Sequence, residues 1–286
     1  EGGLRTAVVA TARNWPDALG GAALAGAWDA PILLVDTDDV PTEVANEIAR
    51  LGATHAVILG GTAVVTNNVH TELLGTGDIA TVDRIGGVDR YQTAEFVADA
   101  TVAKLGAGYQ GGAFLATGLD FPDALGASPI AYAKGMPIYL SRPSQTPPIS
   151  AMLNDGVESV VILGGDAVIP DSHQTALNVG LGSTNVIREG GSDRYATAVL
   201  IAQHGATMHS MRWDGMCFAT GLNFPDALSG GTLAGRYQSL MLLVRPDTVP
   251  VVVSNTLATN KDDITTYSFL GGTAVIEPSV RMQISA

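Results

Sequence analysis

The chain has 286 residues, of which 46% are hydrophobic and 15% charged, and a net charge of −13. That length suits two or three domains, and the composition excludes a disordered chain. The acidic balance repels phosphate backbones, so nucleic acid is not an expected partner, and without about 18 consecutive apolar residues no membrane span is expected. Of the 15 basic residues 12 are Arg and only Lys104, Lys134 and Lys261 are Lys. Arginine suits bidentate anion recognition, so a local anion site stays compatible with an acidic chain. The single cysteine, Cys217 in GMCFATG, reads as a small buried hydrophobe and excludes a disulfide framework or a Cys-based zinc site. The opening EGGLRTAVVA has no signal-peptide features, and the chain is expected to be a piece of a longer one, with Glu1, Gly2 and Gly3 the remnant of a missing stretch.

Read in chain order, short apolar runs bounded by turn residues alternate with helix-length segments. The first third predicts strands at TAVVAT (from Thr6), PILLV (from Pro31) and HAVIL (from His55). Between the first two lies NWPDALGG, in which Pro16 pre-sets a first helical turn. The segment VDTDD, from Val35 to Asp39, has the look of a carboxylate metal site, but its counterparts SRPSQ and VRPDT do not repeat it, so it reads as a solvated loop. The middle third predicts a helix with Tyr91, Ala94, Val97, Ala98, Val102 and Leu105 on one face, then strands GAFLAT, PIYL and SVVIL. The last third repeats the order with MCFAT, LMLLV and YSFL. Pro41 and Pro250 are placed in first helical turns. Continuous apolar strands alternating with helices predict a mainly parallel α/β sheet in each third.

Three motifs recur about a hundred residues apart, a domain-sized period. PDAL begins at Pro16, Pro122 and Pro225; LGGxAV carries Gly60-Gly61, Gly164-Gly165 and Gly271-Gly272; GGxDRY occurs twice, ending in Asp89-Arg90-Tyr91 and Asp193-Arg194-Tyr195. The PDAL aspartates Asp17, Asp123 and Asp226 fall in a first helical turn, where free N–H groups favour a carboxylate. The same turn follows the carboxyl end of a strand, where open α/β sheets bind ligands, so both readings stand. Asp89 and Asp193 are expected as N-caps, with Gln92 at capping-box spacing from the first. Arg90 and Arg194 then sit unfavourably in a first turn and need compensation, from a PDAL aspartate across a unit boundary or from an anionic ligand. The Gly-Gly turns expose backbone N–H groups able to cradle an anion, or are plain tight turns; without GxGxxG spacing or a following Lys-Ser/Thr they imply no nucleotide, and no cofactor is expected. His55, His70, His173, His204 and His209 do not recur between the thirds, and no GxSxG or repeated Cys/His pair appears, so no catalytic or metal site is expected.

DRYxTA, FPDAL and ILGGxxAV, repeated in this order over essentially the whole chain, resemble the cell wall-binding repeat type two family. The resemblance implies three α/β modules of Toprim-like or Rossmann-like topology packed with pseudo-threefold symmetry. It implies a non-catalytic, extracellular anchor that holds a Gram-positive surface protein on an anionic secondary cell-wall polymer, with any activity in a separate domain. A surface-layer structural or protein–protein role is the alternative, and self-association on the cell surface stays open. Counting each module from its DRY segment gives modules at 1–83, 84–187 and 188–286, the first without that segment. The polymer-binding or motif residues carried over are Asp17, Asp123, Asp226, Asp89, Asp193, Arg90, Arg194, Gly60, Gly61, Gly164, Gly165, Gly271 and Gly272, with Tyr91 and Tyr195 completing the DRY sets. Two departures stand beside the missing third DRY: Ala12 occupies the place of Gly118 and Gly221, and the acidic chain would need local Arg, backbone N–H or sugar hydroxyl contacts to hold an anionic polymer.

Overall fold

The structure is a computed structural model that describes residues 5–14, 16–106 and 108–286; the expected remnant Glu1-Gly2-Gly3 and the Trp15 of the first PDAL stretch lie outside the described residues. The first unit runs β1 (Thr6–Thr11), α1 (Gly21–Ala27), β2 (Ile32–Val35), α2 (Thr42–Leu51), β3 (His55–Leu59), α3 (Asn67–Leu74) and β4 (Thr81–Ile85), after which α4 (Arg90–Leu105) leads into the second. The second comprises β5 (Gly111–Thr117), α5 (Pro122–Lys134), β6 (Ile138–Ser141), α6 (Ile149–Asn154), β7 (Val157–Leu163), α7 (Asp171–Leu181) and β8 (Val186–Glu189), followed by α8 (Arg194–His209). The third comprises β9 (Arg212–Thr220), α9 (Pro225–Arg236), β10 (Ser239–Val244), α10 (Val251–Asn260), β11 (Thr266–Phe269) and α11 (Pro278–Ile284).

All strand pairs are parallel, in the orders β2-β1-β3-β4, β6-β5-β7-β8 and β10-β9-β11. The nine apolar runs are strands, as their periodicity predicts. The fourth strands β4 and β8 escape that reading. TVDRI and VIRE are edge strands with partly exposed, charged sequences, so they lack the apolar run that marks the others. The sheets are therefore out of phase with the sequence repeat: residues 84 and 188, where repeats begin, lie inside β4 and β8.

The units meet through α1, α5 and α9, which pack on one another. Glycine lets these backbones approach closely. A Cβ on Gly26 of α1 would fall inside contact distance of the Tyr132 carbonyl, and one on Gly235 of α9 would lie 2.7 Å from the Pro129 carbonyl oxygen. The main core runs continuously from Leu24 and Leu59 through Phe114 and Leu125 to Phe218 and Leu228, and two smaller cores lie under the outer faces of the first two sheets. Each such fully buried side chain contributes about 1.5–3 kcal/mol. Pro129 inside α5 leaves the Leu125 carbonyl without its helical donor, and the Ser128 hydroxyl donates to it instead at 2.7 Å.

Local corrections follow from the same physics. Pro41 and Pro250 are N-caps, one place before the first helical residue. Pro122 and Pro225 do open helices, but residues 16–20 wind as turns and α1 starts only at Gly21. The buried stripe of α4 is Thr93, Ala94, Val97, Ala98 and Thr101, whereas Leu105 is largely exposed. The threonines take that face because their hydroxyls find carbonyls, Thr101 donating to Val97 at 2.7 Å.

Candidate functional site

The three motifs converge at the carboxyl ends of the sheets. Gly60, Gly164 and Gly271 each end a strand with φ near +100°, where a side chain would be strained. A PDAL carboxylate fills the space a Cβ would need: Asp17 Oδ2 would lie 2.9 Å from one on Gly60, Asp123 Oδ2 2.6 Å from one on Gly164, and Asp226 is equally close at Gly271. The first glycine of GGxDRY then presses on the same turn. A Cβ on Gly86 would stand 2.7 Å from the Gly60 carbonyl carbon, and one on Gly190 2.6 Å from that of Gly164. The second glycines, Gly61, Gly165 and Gly272, face outward, with nothing closer than 4.0 Å to a Cβ placed there.

From this turn the chain enters α4 or α8. Asp89 accepts from the N–H groups of Tyr91 and Gln92, both at 3.0 Å, and Asp193 accepts from Tyr195 at 3.0 Å and Ala196 at 2.8 Å, so both are N-caps as expected. Gln92 reaches back one residue further than a capping box predicts, accepting from Val88 N–H at 2.9 Å. Thr93 and Thr197 accept from Gly87 and Gly191 N–H at 3.0 and 3.1 Å, which closes the glycine turns onto the helices.

Arg90 and Arg194 are compensated across unit boundaries. Asp17 of the first unit faces Thr93, Arg90 and Asp89 of α4; burial raises its pKa, and the Thr93 hydroxyl and Arg90 oppose the rise. The single Thr93 hydroxyl proton is shared with the Asp89 carbonyl, 3.0 Å away. Asp123 is held up to about 6 by burial and by Asp120, against the pull of Arg194 and Thr197 of α8. The direct hydrogen bonds of the two arginines run to the next strand end: Arg90 donates to the Gly118 carbonyl at 2.7 Å and Arg194 to that of Gly221 at 2.6 Å. Arg194 also lies 3.4 Å from Asp120. Each DRY helix thus clamps the PDAL and LGG turns of one unit to the first strand of the next.

The tyrosines explain Gly118 and Gly221. The Tyr91 and Tyr195 rings lie where a Cβ at those positions would stand. Arg142 stacks over Tyr91 at 4.0 Å and pairs with Asp89, and Arg245 lies over Tyr195 at 5.0 Å. These arginines come from SRPSQ and VRPDT, the counterparts of VDTDD. In the first unit the equivalent residue is Asp36, paired with Arg13 at 2.5 Å, and Ala12 needs no ring beside it. Asp38 accepts from the Thr66 hydroxyl, so the VDTDD loop is tied to the start of α3. Among the described residues no group of three or more His, Cys, Asp or Glu could hold a metal ion, and no helix is long and apolar enough to cross a membrane. Cys217 is buried, and burial raises its pKa to about 11.

Sequence reasoning missed a third set of residues. Arg84 donates to the Gly60 carbonyl at 2.9 Å and Arg188 to that of Gly164 at 3.0 Å. Both stand at the head of the RxGG segments, so their recurrence is the signal that could have found them. In the third unit Arg281 of α11 does the same for Gly271 at 2.9 Å from an unrelated position, which no repeat comparison would reveal. Among the described residues the buried Tyr195 hydroxyl has no hydrogen-bond partner.

The family model described as cell wall binding domain 2 (CWB2) matches residues 2–70, 84–174 and 188–281. The chain is 30% identical over 271 residues to the amidase enhancer of Bacillus subtilis (strain 168), covering 94% of this chain and 35% of that protein. It is 25% identical over 281 residues to the N-acetylmuramoyl-L-alanine amidase LytC of the same organism, covering 98% of this chain and 53% of that protein. Among solved structures, Cwp6 and Cwp8 from Clostridium difficile share the fold, with TM-scores of 0.84 and 0.82 at 23% and 20% identity, each covering 99% of this chain and 44% and 47% of theirs. The chain spans about a third to a half of the length of these proteins.

Proposed function

The chain belongs to the cell wall binding domain 2 family, and on that premise we propose that it is a non-catalytic anchor that holds an extracellular protein on an anionic secondary polymer of the cell wall. The observation that carries this reading is the recurrence of one turn at the carboxyl end of each of the three sheets, with Gly61, Gly165 and Gly272 facing outward. Backbone N–H groups at such turns bind anionic oxygens without needing a basic protein. Arg142 and Arg245 lie in loops at the same ends, stacked over Tyr91 and Tyr195.

In this reading the motif residues divide by role. Asp17, Asp123, Asp89, Asp193, Arg90, Arg194, Gly60 and Gly164 hold units together, while the outer glycines and the loop arginines Arg142 and Arg245 meet polymer. Asp226 and Gly271 form the same turn without a helix against it. The amidase and amidase-enhancer names of the relatives fit an arrangement in which activity lies outside the shared region. Sedimentation with purified walls tests the proposal. Retention on intact walls and its loss on walls stripped of secondary polymer are expected; equal retention on both would overturn it.

A further inference from the structure

The loop that carries Arg142 is held differently from its counterparts in the other units. In the first unit the Thr66 N–H, at the entrance to α3, donates to the Thr37 carbonyl at 2.8 Å. In the third the Glu277 N–H, at the entrance to α11, donates to the Pro246 carbonyl at 2.9 Å. Each of these loops also closes on itself, Asp36 N–H donating to Asp39 at 3.1 Å and Arg245 N–H to Thr248 at 3.3 Å. The middle unit has neither bond. In the place of Thr66 and Glu277 stands Pro170, the N-cap of α7, which has no N–H to give. Its loop, residues 142–147 ahead of the capping Pro148, is also one residue longer than residues 36–40 ahead of Pro41 or 245–249 ahead of Pro250. The Pro143 carbonyl, counterpart of those of Thr37 and Pro246, is left without its backbone donor.

A polar pair lies directly beneath it. Ser141 ends β6 and His173 lies in the first turn of α7; both are buried, with Ser141 Oγ 2.7 Å from His173 Nδ1. The same two places hold Val35 and Val69 in the first unit and Val244 and Val280 in the third, all buried. The core therefore packs without polar atoms there, and a buried hydrogen bond adds little net stability over an apolar pair. What the imidazole adds is a donor, because it faces the Pro143 and Gln145 carbonyls. Carbonyl oxygens only accept, so the ring proton is directed at them, and Nδ1 accepts the Ser141 hydroxyl proton. Burial, with the Arg188 guanidinium nearby, lowers the pKa of His173, which keeps Nδ1 an acceptor.

We propose that His173 is a positioning residue: its ring takes over from the missing Pro170 N–H and fixes the loop that presents Arg142 at the binding face. The proposal rests on the anchor reading above. Arg142 directly follows Ser141, and its carbonyl accepts from Gln145 N–H at 3.2 Å. Its guanidinium stacks on Tyr91 and pairs with Asp89. Holding the carbonyls of residues 143 and 145 thus sets where that guanidinium stands before polymer arrives, and a loop already ordered loses less freedom on binding.

The test installs the valine pair of the other units, Ser141→Val with His173→Val. Backbone order parameters at Ser144, Gln145 and Thr146 should fall from about 0.85 to below about 0.6. Affinity for purified walls should weaken about fivefold. Adding Pro170→Thr restores an N–H where Thr66 has one and should recover both quantities, whereas Pro170→Thr alone should change neither. Loop order unchanged in the valine variant, or no recovery with Pro170→Thr, overturns the proposal. So does a nitrogen spectrum of His173 that puts the neutral ring's proton on Nδ1. A loop that loosens while wall affinity holds overturns its part in binding. If the unaltered chain is not retained on walls, the anchor reading falls, and loop order alone decides whether His173 replaces the Pro170 donor.

Discussion

The α5 and α9 faces differ in what lies on them. Both begin with Pro-Asp-Ala-Leu, both place their aspartate on a positive-φ glycine, and both end near the units' common junction. On α5 a helix covers the face; Asp123 is buried against Thr197 and Arg194, and Ile130 is 1% exposed. On α9 the equivalent Leu233 is 45% exposed. The repeated sequence therefore specifies the surface, while burial and electrostatics arrive only with the neighbouring helix. The comparison separates what a motif does for its own unit from what it does between units.

The largest expected effect is at Ile130. Removing its side chain opens a cavity between α5 and α8, and Ile130→Ala is expected to cost about 3 kcal/mol of unfolding free energy in urea denaturation. A loss below about 1 kcal/mol would show that the covered groove is loosely packed. Next comes the entrance to α8: Asp193→Ala leaves the Tyr195 and Ala196 N–H groups to solvent and is expected to cost about 1 kcal/mol. Asp89→Ala should cost more, toward about 2 kcal/mol, because Asp89 also pairs with Arg142. Equal losses in the two variants would remove the Arg142 pairing from the account.

The same contrast explains what could be read from sequence. Nine strands and the N-caps were legible because apolar runs and capping residues are local features. The edge strands β4 and β8 were not, since TVDRI and VIRE look like polar loops until a neighbouring strand gives their backbone partners. The cross-boundary placement of Asp17 against α4 was legible as a charge that needed compensation. That the hydrogen bond of Arg90 runs to the Gly118 carbonyl was not, because a backbone acceptor leaves no mark in side-chain identity. Arg281 was illegible for a related reason: it reaches the Gly271 carbonyl from α11, whose counterparts α3 and α7 carry His70 and Gln174 at the matching place, so no recurring arginine marks it.

A smaller effect should appear in pH dependence. Burial holds the Asp123 carboxyl up to about 6, above the ordinary aspartate value of about 3.9. Between these values the folded chain binds the proton that the unfolded chain has released, so this residue makes stability fall as pH rises through that window and contributes no slope above it. Asp99, also raised to about 6, adds its own slope, so the informative quantity is the difference between the chain and its Asp123→Asn variant. Urea midpoints measured from pH 4 to pH 7 should converge toward the acid end and favour the variant toward neutrality. A difference that does not change with pH would place Asp123 in water rather than under α8.

The smallest effect is expected at Leu233, and it bears most directly on the comparison. Its Cβ and methyl groups line an open groove, so truncation removes little buried area and leaves no enclosed cavity. Leu233→Ala should therefore change stability by no more than about 0.5 kcal/mol, several-fold less than Ile130→Ala at the matching position. The inequality rests on exposure alone, since the two residues share motif, helix and register. Equal costs would mean that Leu233 is already covered in solution and that the α9 face is not open.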